Sequence, residues 1–129
     1  MNRLDSELLQ RSFVKLTATF PKRLTSLYMS LRTGHTPLNK YLHRIGKIES
    51  PHCLHCQGIE ETMHHFLLSC PFYQRERHIL INTLGRKASS IPFLLTDTNA
   101  TPHLVQYINA SGRLKTTFGE VPLPRKPPD

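Results

Sequence analysis

Cys53, Cys56, His65 and Cys70 form a C-x2-C-x8-H-x4-C pattern. Two cysteines separated by two residues let one turn of backbone offer two thiolates to a tetrahedral ion at about 2.3 Å, and a His and a Cys from a following helix complete the shell. A closed Cys3His shell leaves no position for water, so the chemistry expected of the site is structural, with one Zn2+ as cofactor. Spacing alone leaves the imidazole open, because His52, His55, His64 and His65 crowd the region. Adjacent residues point about 100° apart on a helix, so only one of His64 and His65 can face the cysteine loop.

Two other readings of the cysteines compete. C-x-x-C also marks thioredoxin-like redox sites, but these follow a strand in a βαβ pattern, and nothing before Cys53 reads as a buried strand. Free buried cysteines are the second alternative. No further chemistry stands out. The chain has nine acids, no Tyr-x-Asp-Asp signature, no Gly-rich phosphate loop and no Gly-x-Ser-x-Gly elbow, so no active site is expected.

The elements that must position the ligands read as helices. From Phe20, with Pro21 at the first helical position, Leu24, Leu27, Tyr28 and Leu31 recur at helical spacing up to Gly34. A second helix follows with Thr36 as N-cap, a stripe of Leu38, Tyr41, Leu42 and Ile45, and Gly46 past its end, which makes the pair a helical hairpin. Lys47 to Gly58 reads as an ordered loop. Glu60, Glu61 and Thr62 are expected to open a third helix, the two carboxylates favouring its positive end, with Met63, Phe66 and Leu67 buried and Pro71 as its stop.

A fourth helix runs from near Pro71 to Leu84, with Arg75, Glu76, Arg77 and His78 on its wet face. Ser90 to Leu95 reads as one short turn, and Thr101 with Pro102 begins a helix that buries Leu104, Val105, Tyr107 and Ile108 and ends at Gly112. The fold class expected is therefore all-α: a small helical domain with a helical hairpin, a zinc-knuckle loop and further helices. Residues 1–19 read as an N-terminal extension, 20–112 as the zinc-binding domain with its knuckle at 50–72, and 113–129 as a basic, Pro-rich, disordered tail.

Length and charge fit this picture. At 129 residues with 38% hydrophobic residues and no Trp, one domain with a modest core is expected, and a metal would reinforce it. No run of about 18 apolar residues and no secretory signal is present, so a membrane is not an expected partner and an intracellular protein, nuclear or cytoplasmic, is. The net charge is +8, and no acid falls between Glu7 and Glu49. That one-sign segment suits a polyanion, with Lys22, Arg23, Arg32, Lys40, Arg44 and Lys47 as the candidate phosphate contacts; a solvated basic face is the plainer alternative.

Read together, Leu31-Arg32-Thr33-Gly34-His35, Leu38 to Gly46, Ser50-Pro51, the cysteine pair, and Glu60-Glu61-Thr62 through His64-His65-Phe66-Leu67-Leu68-Ser69-Cys70-Pro71 form a familiar string. It resembles the C-terminal region of reverse transcriptases of non-LTR (LINE-type) retrotransposons, fungal ones especially, over about residues 13–118. In that family the region follows the polymerase and RNase H domains. The family pattern places its histidine directly before the Phe or Ile of the helix, which corresponds here to His65. The resemblance implies a zinc-binding accessory domain that helps a parent enzyme grip RNA or target DNA, here a remnant or fragment without the parent's catalytic carboxylates. Docking onto an RNase H or polymerase domain is the alternative partnership, and no small-molecule substrate is implied. The stretch between the second and third ligands is longer than in a retroviral C-x2-C-x4-H-x4-C knuckle, so base stacking on the knuckle is not carried over.

Overall fold

The computed structural model describes residues 14–124. Most of the N-terminal extension and the last residues of the tail, including Arg125 and Lys126, lie outside them. The described chain is all-helical, and its nearest approach to a strand is an isolated antiparallel bridge between His52 and Glu60.

Helix α1 spans Lys22–Thr33 and buries Leu24, Leu27, Tyr28 and Leu31, the stripe that the spacing predicts. Gly34 ends it at φ 77°, a left-handed conformation that a side chain would strain. Helix α2, Asn39–Arg44, starts later than expected. Thr36 does not cap it: its hydroxyl meets Ser30 Oγ at 3.2 Å, and Leu38 stands at the N-cap in extended backbone. The capping role passes to a distant side chain: Glu61 Oε1 accepts from the Asn39 backbone N–H at 2.7 Å.

The acids Glu60 and Glu61 do not open the third helix. They lie on an extended arm paired with the chain before Cys53, and Thr62 caps the helical turn, its Oγ1 accepting from the His65 N–H at 2.9 Å. That turn becomes a π-helix at His65–Ser69. A 3-10 turn, Pro71–Tyr73, leads into α3, Gln74–Leu84, and Gly85–Ser89 forms another. Helix α4 is Ile91–Thr96, capped by Ser90 Oγ, and α5 is Thr101–Ser111. Helix α5 buries Leu104, Val105, Tyr107 and Ile108 as expected. It packs on α3 and α4, and α4 packs on α1, so one core runs through the body.

The tail assignment needs correction over residues 113–121. Leu114 and Val121 are buried, Lys115–Phe118 forms helix α6, and Asn109 clamps Val121 through paired 3.0 Å hydrogen bonds to its N–H and C=O. Apolar burial and a long-range hydrogen-bond pair hold a segment whose local composition carries no helical periodicity. At the other end, Leu16, assigned to the extension, is also buried in the core. Among the described residues, no helix is long and apolar enough to cross a membrane.

Candidate metal centre

The knuckle is a tight hairpin. Cys53 N–H donates to Ile59 O at 2.8 Å and Glu61 N–H to Pro51 O at 2.9 Å, so the two arms close around the C-x-x-C turn. Gly58, at φ 79°, reverses the chain after Cys56. The hairpin supplies two ligands on one short loop.

The other two come from the π turn, and its geometry has a reason. On an α-helix, residues five apart point about 140° from each other, so His65 and Cys70 would diverge. A turn closed by Cys70 N–H donating to His65 O, at 2.7 Å, brings them back toward one side. Pro71 then holds Cys70 in extended backbone, at φ −65° and ψ 118°.

The four donor atoms of Cys53, Cys56, His65 and Cys70 all lie within 4.8 Å of one another, and all four residues are buried. Cys70 Sγ is 3.8 Å from Cys53 Sγ and 3.7 Å from Cys56 Sγ. Tetrahedral coordination at about 2.3 Å sets sulfur atoms about 3.8 Å apart, whereas a disulfide needs about 2.05 Å. His65 Nε2 is buried with no hydrogen-bond partner, the state of a nitrogen that serves as a ligand. This is the geometry of one structural Zn2+ site.

His64 is exposed and turns to Ser69 Oγ, 3.4 Å from its Nδ1. His55 is exposed and stacks on Phe72 at 3.4 Å between centroids. His52 is exposed as well. Replacing His65 with Ala should therefore weaken zinc retention by more than the roughly 10–100-fold typical of outer-shell partners. His64→Ala should keep one equivalent of zinc at unchanged affinity; competition with a chromogenic chelator measures both, and equal losses would contradict the assignment.

Burial shifts the titration of two of the ligands. Burial pushes the Cys53 thiol up, and the neighbouring Cys70 adds to this. A reactive redox thiol requires the opposite shift. Burial likewise lowers the His65 imidazole, keeping it neutral and able to donate its lone pair. Three thiolates and one Zn2+ leave a net charge of −1, and a buried cation stands beside them. The Arg77 guanidinium donates to Cys70 O at 2.7 Å, Leu67 O at 3.2 Å, Phe66 O at 3.4 Å and Tyr107 Oη at 3.3 Å. Tyr107 Oη in turn donates to Phe66 O. The guanidinium thus gathers carbonyls at the end of the π turn, where helix geometry leaves the last C=O groups without the usual partners.

Arg77 is thus a supporting residue, not part of the wet face to which composition assigned it. The signal was present: Arg77 shares helical spacing with Tyr73, Leu80 and Leu84, on the stripe that faces inward. A second unanticipated group is Glu61, 1% exposed, which Arg113 grips through both oxygens at 2.6 and 2.8 Å. Arg113 also donates to Asn39 Oδ1 at 3.0 Å, and Asn39 Nδ2 donates to His52 O at 2.7 Å. This network ties α2, the knuckle and the chain after α5 together.

The candidate phosphate contacts Lys22, Arg23, Arg32, Lys40, Arg44 and Lys47 are all exposed. Lys40 and Arg44 line the same cavity beside α2. Arg23 donates to Glu120 O at 3.2 Å, and Arg32 sits about 15 Å further along the axis of α1 than Lys22, so the six do not form one compact cluster. No protein family, curated protein or solved structure matches the chain.

Proposed function

We propose that this chain is a non-catalytic module in which a structural zinc ion fixes basic helices for contact with RNA or DNA. In this reading it is a remnant or fragment of the C-terminal zinc-binding region of a non-LTR retrotransposon reverse transcriptase. The observation that carries the non-catalytic reading is the closed shell: four buried protein donors leave the ion nothing with which to activate water or polarise a substrate. Function then falls to the surface that the ion holds in place. The one-sign charge of α1 and α2, neither of which contains an acid, supports a polyanion as partner.

Binding to single-stranded RNA or DNA through four phosphate contacts should weaken about 50-fold between about 50 and 200 mM salt, a log–log slope of about −3. Fluorescence anisotropy of the zinc-loaded chain at several salt concentrations measures it, and absence of binding at low salt would refute the reading. A second reading, a protein-docking module for an RNase H or polymerase domain, draws on exposed apolar groups at the knuckle: Leu54 is 82% exposed and Phe72 58%. Apolar docking there would be nearly indifferent to salt and sensitive to Leu54→Ser.

A further inference from the structure

Beside the knuckle, and apart from the zinc ligands, a solvent-open cavity of about 250 Å3 lies between α2 and the arm that leads into the π turn. Lys40, Tyr41 and Arg44 line it from α2, and Thr62 and Met63 from the arm. The Tyr41 ring stacks with the His35 imidazole, 5.2 Å away at 22°, and the Arg44 guanidinium carbon lies over it, 5.5 Å from the ring centroid. Contact with the ring orients a guanidinium that would otherwise sample many rotamers.

The two acids nearby do not cancel this positive rim. Glu61 lines the cavity, yet both its oxygens are taken by Arg113 and the Asn39 N–H. Glu60 holds Lys40 Nζ at 3.2 Å, but the side chains are 49% and 58% exposed, so water and salt weaken that pair and an entering anion can replace it. A carboxylate on Lys40 marks where an anionic oxygen is accepted.

We propose that this cavity takes one unpaired nucleotide of a single-stranded nucleic acid, its base against the Tyr41–Arg44 stack and its flanking phosphates on Lys40 and Arg44. The proposal rests on the nucleic-acid reading above and assigns it a site. Size limits the occupant: the cavity is smaller than the roughly 300–1,000 Å3 of drug-sized pockets, so it suits one base and not a stack of bases. Chemistry selects an unpaired one, because duplex bases are stacked on each other and offer only their edges, whereas splayed bases stack on aromatic rings and guanidinium planes.

Anisotropy titrations of the zinc-loaded chain with a short labelled single-stranded RNA, and with the matching duplex, test this. Tyr41→Leu keeps apolar volume and removes the π face, and should weaken single-strand binding by about 5- to 150-fold while leaving duplex binding unchanged. Arg44→Gln should reduce the salt slope by about 0.7. Glu60→Gln releases Lys40 and should tighten single-strand binding by about 2- to 5-fold, a gain that loss of folding cannot mimic. Single-strand binding that is unchanged in both Tyr41→Leu and Glu60→Gln would overturn the cavity assignment while leaving nucleic-acid binding elsewhere intact. A wild-type chain that binds neither RNA at low salt would overturn both.

Discussion

Chelating the zinc, or replacing Cys70 with Ser, is expected to unfold most of this protein and not the knuckle alone. Structural zinc contributes roughly 10–16 kcal/mol of apparent binding free energy at neutral pH, as much as the whole stability of about 5–15 kcal/mol of an ordinary domain. The loss cannot stay local, because the π turn that carries His65 and Cys70 also carries Phe66 and Leu67, both fully buried in the common core. Phe66 meets Tyr73 and Tyr107 at ring distances of 5.3 and 5.6 Å, so a freed turn uncovers the 3-10 turn before α3 and the inner face of α5 as well. Cys70 should be the most sensitive ligand, since its sulfur lies close to both partner sulfurs and its carbonyl anchors Arg77.

Circular dichroism and hydrogen exchange with and without chelator measure the effect. Helix content and melting that are unchanged in the metal-free protein would contradict it. Acid should act in the same direction. Burial holds the folded His65 imidazole below its ordinary pKa of about 6.5, so the unfolded chain binds more protons, and the stability contributed by the neutral ring is present above that value and lost as pH falls below it. Protonation of the ligands releases the metal over the same descent.

The second large effect is expected at Arg113. Arg113→Met leaves the Glu61 carboxylate buried with no cation, which costs about 3–5 kcal/mol and lowers the melting temperature by about 10–20 °C. The double variant Glu61→Gln with Arg113→Met should recover much of this, because a neutral amide oxygen still accepts the Asn39 N–H while no charge remains stranded. Thermal melts of the two variants decide the matter. A single variant within a few degrees of wild type, or a double variant no more stable than the single, would show that the pair does not join the segments.

How much of this was legible in the sequence differed by element. The stripes of α1 and α5 were, because burial of one helix face imposes a period that four or five residues suffice to show. The start of α2 was not: Thr36 has the chemistry of a cap, but its hydroxyl pairs with Ser30 and Glu61, 22 residues away, takes over the role. Glu60 and Glu61 looked like helix-dipole partners because nothing nearby distinguishes an exposed carboxylate from one that will meet an arginine 52 residues later. Arg77 was misjudged for a different reason: its charge outweighed its position on an inward stripe, although a cation can be buried where carbonyls converge.

The sequence by itself determined the ligand set up to one choice, because chelate spacing is a local property: C-x-x-C within one loop, and His and Cys flanking a single turn. It could not choose between His64 and His65 by spacing, since that depends on how wide the turn winds, and the resemblance that favoured His65 carried no geometry. The tertiary structure decided it through the π turn, which swings His65 and Cys70 to one side and leaves His64 facing solvent. It also decided what the zinc site leans on. Arg113, the partner of Glu61, and Tyr107, which donates to the Phe66 carbonyl, come from distant parts of the chain, and pairing across such separations is set by how the helices pack, which no short stretch of residues encodes.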